Sequence, residues 1–174
     1  MLKIGIGYEN YKEFIDQKLY YVDKTLLIRD IVEKGGKVTL FTRPRRFGKT
    51  LALSMLRTFF EAELDREGNP VDNRRYFEGM KIMGCGEEIL SKLGQYPVIK
   101  LTLKSSKQPE FSTAIFMLRE EIISEFSRHQ YVLESDRVPD SDKDKFRSFL
   151  NAETLWREKE AQFKSREEKK RGTV

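Results

Sequence analysis

Tyr11, Phe14 and Ile15 fall at helical spacing among polar neighbours and predict a short first helix within residues 9–18. Tyr20-Tyr21-Val22 reads as extended chain. Asp23 or Thr25 can then cap a helix carried by Leu26, Leu27, Ile31 and Val32, which Gly35-Gly36 ends. Val38-Thr39-Leu40-Phe41-Thr42 is a continuous β-prone run of the kind a buried parallel strand shows. Pro44 and Gly48 break the chain there. From Lys49 a further helix follows, with Ala52, Leu56 and Phe60 on one stripe and Leu51, Met55 and Phe59 beside it. Apolar around so much of its girth, it is expected to pack against a sheet.

Between Asp65 and Gln95 the chain is rich in Gly, Asn and charge, and only a short helix near Glu87–Leu93 is readable. Pro97-Val98-Ile99-Lys100-Leu101-Thr102-Leu103 is the second predicted strand. After Pro109, the spacing of Phe111, Ile115, Leu118, Ile122 and Phe126 predicts a strong amphipathic helix. Ser141 with Asp144 has the pattern of a capping box for a last helix bearing Phe146, Phe149 and Leu150. Beyond Trp156 the apolar pattern stops, leaving only Ala161 and Phe163 among charges. The expected organisation is therefore a folded part, 1–154, and a basic tail, 155–174, that is disordered or a frayed polar helix. The pattern as a whole predicts an α/β fold, a parallel sheet flanked by helices.

Composition changes this picture little. Of 174 residues, 39% are hydrophobic and 35% charged, and twelve Phe with seven Tyr can fill a core without a disulfide or metal staple. The one cysteine, Cys85, has no partner for an internal disulfide. No run of eighteen apolar residues is present, and the first residues lack the pattern of a signal peptide, so a cytoplasmic protein without a membrane segment is expected. Charge says more. Lys and Arg number 33 against 28 Asp and Glu, a net +5 that suits a polyanionic ligand. Arg43, Arg45, Arg46 and Lys49 fall within seven residues that hold no acid. Residues 157–174 carry seven basic residues against four acidic ones.

The stretch Arg43-Pro44-Arg45-Arg46-Phe47-Gly48-Lys49-Thr50 carries the chemistry. It lies between a predicted strand and a predicted helix, where a helix start offers free N–H groups and a positive dipole end to an anion. The phosphate-loop pattern G-x-x-x-x-G-K-[ST] adds a lysine for the phosphates and a hydroxyl for Mg²⁺. Gly48, Lys49 and Thr50 match it, and Arg43 stands where the first glycine would be. That replacement predicts a loop that opens with a different geometry, with Arg43, Arg45 and Arg46 supplying charge directly. The competing reading is a basic surface turn in which Gly48 merely starts the helix.

This loop and its surroundings resemble the AAA-ATPase-like domain family, predicted bacterial P-loop ATPases in which a nuclease-like domain often follows. The resemblance runs through Tyr20-Tyr21-Val22-Asp23-Lys24-Thr25, Thr39 to Leu51, Leu53-Ser54-Met55-Leu56, Tyr76-Phe77-Glu78-Gly79, Tyr96-Pro97-Val98-Ile99 and Tyr131-Val132-Leu133-Glu134-Ser135-Asp136. It spans about Ile4 to Glu153 and leaves out the tail. The family also has arginine at the position of Arg43. The resemblance implies a partial P-loop NTPase fold and ATP binding through Arg43, Arg45, Arg46, Phe47, Gly48, Lys49 and Thr50, with Lys49 on the phosphates and Thr50 on magnesium. It assigns no role to Asp23 or Lys24, and Asp23 is as readily a cap for the next helix.

Hydrolysis would need a second acid on the metal and a positioned water. In the family an acid ends a later apolar strand, the Walker B region, whereas here Lys104, Ser105 and Ser106 follow the second predicted strand. The expectation is therefore an N-terminal portion of a longer ATPase, truncated or frameshifted near residue 154, with turnover by this chain left open. Oligomers or a missing C-terminal partner fit the same reading. The alternative is a non-catalytic basic fragment that binds nucleic acid or a partner, with Tyr20 or Phe47 available for stacking. His129, between Arg128 and Gln130, reads as a surface residue, and neither it nor Cys85 has neighbours that suggest a metal site.

Overall fold

A computed structural model describes residues 3–44, 46–65 and 67–151. Its elements are helical: α1 (Tyr11–Asp16), α2 (Leu26–Lys34), α3 (Lys49–Phe60), α4 (Glu87–Leu90) and α5 (Phe111–Arg128). Short 3-10 turns occupy Arg74–Phe77, Lys81–Gly84 and Gln130–Glu134, and helical backbone resumes over 140–151. The chain divides into two compact units, Met1–Val98 and Ile99–Val174.

The first unit is organised by Tyr11. Asn10 caps α1 by accepting the N–H groups of Lys12 and Glu13, which leaves the Tyr11 N–H to be satisfied from elsewhere. Ser54, on the buried side of α3, accepts it at 3.0 Å. At the other end of the same residue the phenol donates to the Tyr76 carbonyl at 3.0 Å. The ring between lies on Phe77 and edge-on to Tyr21. Burial, with the neighbouring Tyr21 and Asp23, pushes the Tyr11 hydroxyl well above its ordinary range, so it stays a donor. Ile28, Met55, Phe59, Phe77 and Ile82 complete a core of fully buried side chains.

The helices end for local reasons. Gly35, in the left-handed region at φ 57°, terminates α2, and its N–H closes on the Ile31 carbonyl. At the end of α3, the carbonyls of Phe59 and Phe60 accept the N–H groups of Gly94 and Tyr96 at 2.8 and 2.9 Å. A later segment thus satisfies acceptors that the helix cannot.

In the second unit, α5 carries Phe126, on which Phe146 and Phe149 lie with ring centres 5.0 and 4.3 Å away. The helical run over 140–151 starts one residue ahead of Ser141, after Pro139, and Asp144 pairs with Arg147 rather than forming a capping box.

The expected α/β class, a partial P-loop fold with a parallel sheet, is corrected here. The described residues contain no β-strand; only two isolated bridges occur, Glu61 with Tyr96 and Leu64 with Pro70. Both β-prone runs remain outside helices but lie in no ladder. Val38 and Leu40 are more than four-fifths exposed, and Ile99, Leu101 and Leu103 more than half. The reason is visible at 98–103. There Lys100 and Thr102 donate their N–H groups to Glu125 and Glu121 of α5, at 2.8 and 3.1 Å. Carboxylates occupy the place of a neighbouring strand, and β propensity has force only where a pleated neighbour exists. With no sheet, α3 packs instead on α1, through the buried stripe that includes Met55 and Phe59.

Two outcomes follow. Tyr11→Phe leaves the Tyr76 carbonyl without its donor and should cost about 1–2 kcal/mol, while Tyr11→Ala opens a cavity and should cost about 3–5 kcal/mol. Urea unfolding followed by circular dichroism measures both, and a Tyr11→Phe loss within error of zero would contradict the hydroxyl's seat. The second concerns Glu125. Burial alone would raise its pKa, yet the Arg128 guanidinium and the Lys100 N–H hold it at about 2, against an ordinary 4.5. A carboxyl depressed in the folded state stabilises it fully above its unfolded pKa and loses that contribution as pH falls. Protection of the Lys100 amide from hydrogen exchange should therefore decline between about pH 4.5 and 2. In Glu125→Gln that decline should be absent, with lower protection at neutral pH.

Candidate functional site

Gly48 is the N-cap of α3, at φ 72° and ψ 25°, and no side chain caps the helix. The first bond of the helix runs from the Ala52 N–H to the Gly48 carbonyl at 2.9 Å. The amides of residues 48–51 have no helical acceptor, and with the positive end of the helix dipole they favour an anion placed over the loop. Lys49 folds its ammonium back over the same loop. It donates to the carbonyl of Arg43 and, at 3.1 Å, to that of Pro44. The lysine thereby ties the two ends of the loop together.

The described residues of the loop have definite places. Arg43, Arg46 and Phe47 are exposed, Phe47 by 59%, and Lys49 and Thr50 are half-buried. Arg45 lies outside the described residues. Among the described residues the left-handed positions of the loop are Arg46, at φ 69°, and Gly48. Arg43 is not among them, so its backbone asks nothing that only glycine could give. What position 43 supplies to the loop is its carbonyl, which any residue carries. Arg46 holds a conformation that is costly for a residue with a β-carbon. Beneath the loop, Leu27, Phe41, Leu53 and Leu56 line an apolar cavity of about 70 Å³. That is far below the roughly 300 Å³ at which ligand pockets begin, so it is the floor of the loop and no place for a nucleoside.

A turn from between α1 and α2 reaches the same place. Asp23 Oδ1 accepts both the N–H and the hydroxyl of Thr25, at 2.8 and 2.7 Å, and its Oδ2 accepts the Lys81 N–H at 2.8 Å. Burial opposes its charge, but these donors hold its pKa below the ordinary carboxylate value. Asp23 therefore braces the start of α2 against the 81–84 turn, a wider role than capping. Beside it, the Lys24 Nζ lies 4.0 Å from where a β-carbon on Gly48 would stand. No spacing rule links residues 24 and 48; the sequence signal for their meeting is absent.

The remaining candidates lie elsewhere. His129, expected at the surface, is 8% exposed: the turn after α5 sets it against Glu125, and its Nδ1 is 2.9 Å from the Tyr131 hydroxyl. Cys85 is half-buried, with its thiol near the Lys81 carbonyl. Among the described residues no group of three or more His, Cys, Asp or Glu is placed to hold a metal ion, and no helix is long and apolar enough to cross a membrane.

A family model described as a predicted AAA-ATPase matches residues 5–164. The match takes in the loop, the Asp23–Thr25 turn and the whole of the second unit's described helices. It also extends past Glu153, where the resemblance seen in the sequence stopped. No curated protein and no solved structure matches the chain.

The left-handed cap yields a prediction. Gly48→Ala meets no atom closer than the Lys24 Nζ at 4.0 Å, so its cost is conformational, about 1–2 kcal/mol. Gly48→Asn should cost less, because asparagine tolerates that region. A thermal-unfolding series in which alanine equals glycine would contradict the cap geometry.

Proposed function

This chain belongs to the predicted AAA-ATPase family, and from that premise we propose that it binds Mg-ATP through the loop Arg43–Thr50. The observation that carries the reading is the start of α3, where no side chain caps the helix and the Lys49 ammonium is folded onto the Arg43 and Pro44 carbonyls of the same loop. A loop of this form fits a phosphate chain. In the bound state the free amides receive phosphate oxygens, and the absent side chain at Gly48 lets them approach. Lys49 exchanges two neutral carbonyls for an anion, which makes a stronger, charge-assisted bond. Thr50 offers its hydroxyl to Mg²⁺, which neutralises the phosphates. Arg43 and Arg46 are exposed and add positive charge; Arg45 is assigned to the same role from its place in the sequence. Phe47 is left outside the phosphate contacts, exposed beside the loop.

The proposal is one of binding. Its Walker A loop is a variant with Arg43 in the first position, and we read the chain as lacking the Walker B acid that hydrolysis would use. Because the apolar cavity below the loop is too small for a nucleoside, the phosphates carry the affinity, and ATP and GTP should bind within a few-fold of each other.

Calorimetric titration with Mg-ATP tests this. The wild-type protein should bind, and Lys49→Ala should lose at least about tenfold in affinity, 1.4 kcal/mol. No binding by the wild type would overturn the reading. Binding to single-stranded DNA that falls steeply with salt, without competition from ATP, would favour a nucleic-acid contact instead.

A further inference from the structure

The backbone of Lys24 is held from several sides, while its side chain has no partner among the described residues. Thr25, fully buried, donates its N–H and hydroxyl to Asp23 and accepts the Ile82 N–H at 3.2 Å on its Oγ1. The Lys24 carbonyl accepts the Leu27 N–H at 3.0 Å, and Asp23 is tied to Lys81. A turn so constrained delivers its middle side chain to one region of the surface. That side chain is exposed, and among the described residues its ammonium makes no hydrogen bond or ion pair. It ends over Gly48, 4.0 Å from the position a β-carbon would take.

We propose that Lys24 is a second phosphate-binding residue of the loop, contacting the phosphate chain of a nucleoside triphosphate that lies over Gly48. This rests on the reading of Arg43–Thr50 given above and adds to it a residue from a different part of the chain. The electrostatics favour it. An ammonium beside the positive end of α3 has nothing to attract it there until an anion arrives. Lys49 begins engaged with two carbonyls and must leave them to meet phosphate. Lys24 has no such engagement among the described residues, so it loses no contact with them on binding. The missing side chain at position 48 serves both partners, since it opens the loop amides on one side and leaves the path from Lys24 clear on the other. Asp23 and Thr25 then act as positioning residues for Lys24, in addition to bracing α2.

The test compares wild type with Lys24→Ala, Lys24→Arg and Lys49→Ala, titrating each with Mg-ATP and with inorganic triphosphate. Lys24→Ala should weaken both ligands by about five- to tenfold. Lys24→Arg should recover to within about threefold of wild type. Because the contact is with phosphate, the loss should be equal for ATP and for the triphosphate that has no nucleoside. Both Lys24 variants should keep the wild-type melting midpoint without ligand, since among the described residues the ammonium of Lys24 has no partner to lose. If Lys24→Ala binds like wild type while Lys49→Ala is impaired, Lys24 is a solvated lysine and the loop reading stands without it. A lowered melting midpoint in Lys24→Ala, with no rescue by arginine, would make its role structural and overturn the proposal. Failure of the wild type to bind either ligand would remove the loop reading itself, and this inference with it.

Discussion

Tyr11 is anchored through its backbone to Ser54 on α3 and through its phenol to the Tyr76 carbonyl. These bonds join parts of the chain that are 43 and 65 residues apart, and the ring between them is fully buried. Fixing such distant segments in one place is the entropic cost that any fold of this size must meet. Here one side chain and its amide concentrate it. The consequence reaches the surface, because Ser54 and the start of the helix belong to the same rigid α3. Once Ser54 is seated under α1, the amides at 48–51 have a fixed direction. The phosphate-loop candidate is an outward end of the element that the core holds most firmly.

The loop at that end is stabilised by its own lysine. A basic loop without acids would repel itself, and the Lys49 ammonium finds its acceptors in the carbonyls of Arg43 and Pro44. This arrangement also explains how arginine is accommodated where a phosphate loop more often has glycine. Among the described residues the left-handed positions of the loop are Arg46 and Gly48, and the backbone of Arg43 supplies a carbonyl to Lys49. Below, the Asp23–Thr25 turn ties α2 to the 81–84 turn through main-chain donors. The site therefore rests on polar contacts between turns and helix ends, with the apolar core one layer further in.

The second unit makes the complementary point about strands. Ile99, Leu101 and Leu103 alternate with Lys100 and Thr102 as a strand would, yet the N–H groups of the alternate pair go to Glu125 and Glu121. Glu125 is itself held by Arg128 and lies against His129. A cluster of charged side chains on α5 takes over donors that a sheet would use, and the apolar partners of those donors remain exposed. The alternation in the sequence was real; the partner it called for is a helix face.

Much of the helical structure was legible in the sequence. The spacing of Tyr11, Phe14 and Ile15, the Gly35 stop and the long stripe from Phe111 to Phe126 each depend on contacts within a few residues, so local pattern suffices. The family to which the chain belongs was equally readable, and so was the helix start at Gly48-Lys49, which a local break in the chain pattern marks. The absence of a sheet was not readable, nor was the burial of His129, the brace made by Asp23 or the approach of Lys24 to Gly48. Each of these depends on which distant group meets a given donor, acceptor or open space. Sequence by itself determined where the backbone would coil and where positive charge would gather. Tertiary structure alone decided what those elements bond to, because hydrogen-bond partners separated by tens of residues are chosen by packing and leave no periodic mark on the chain.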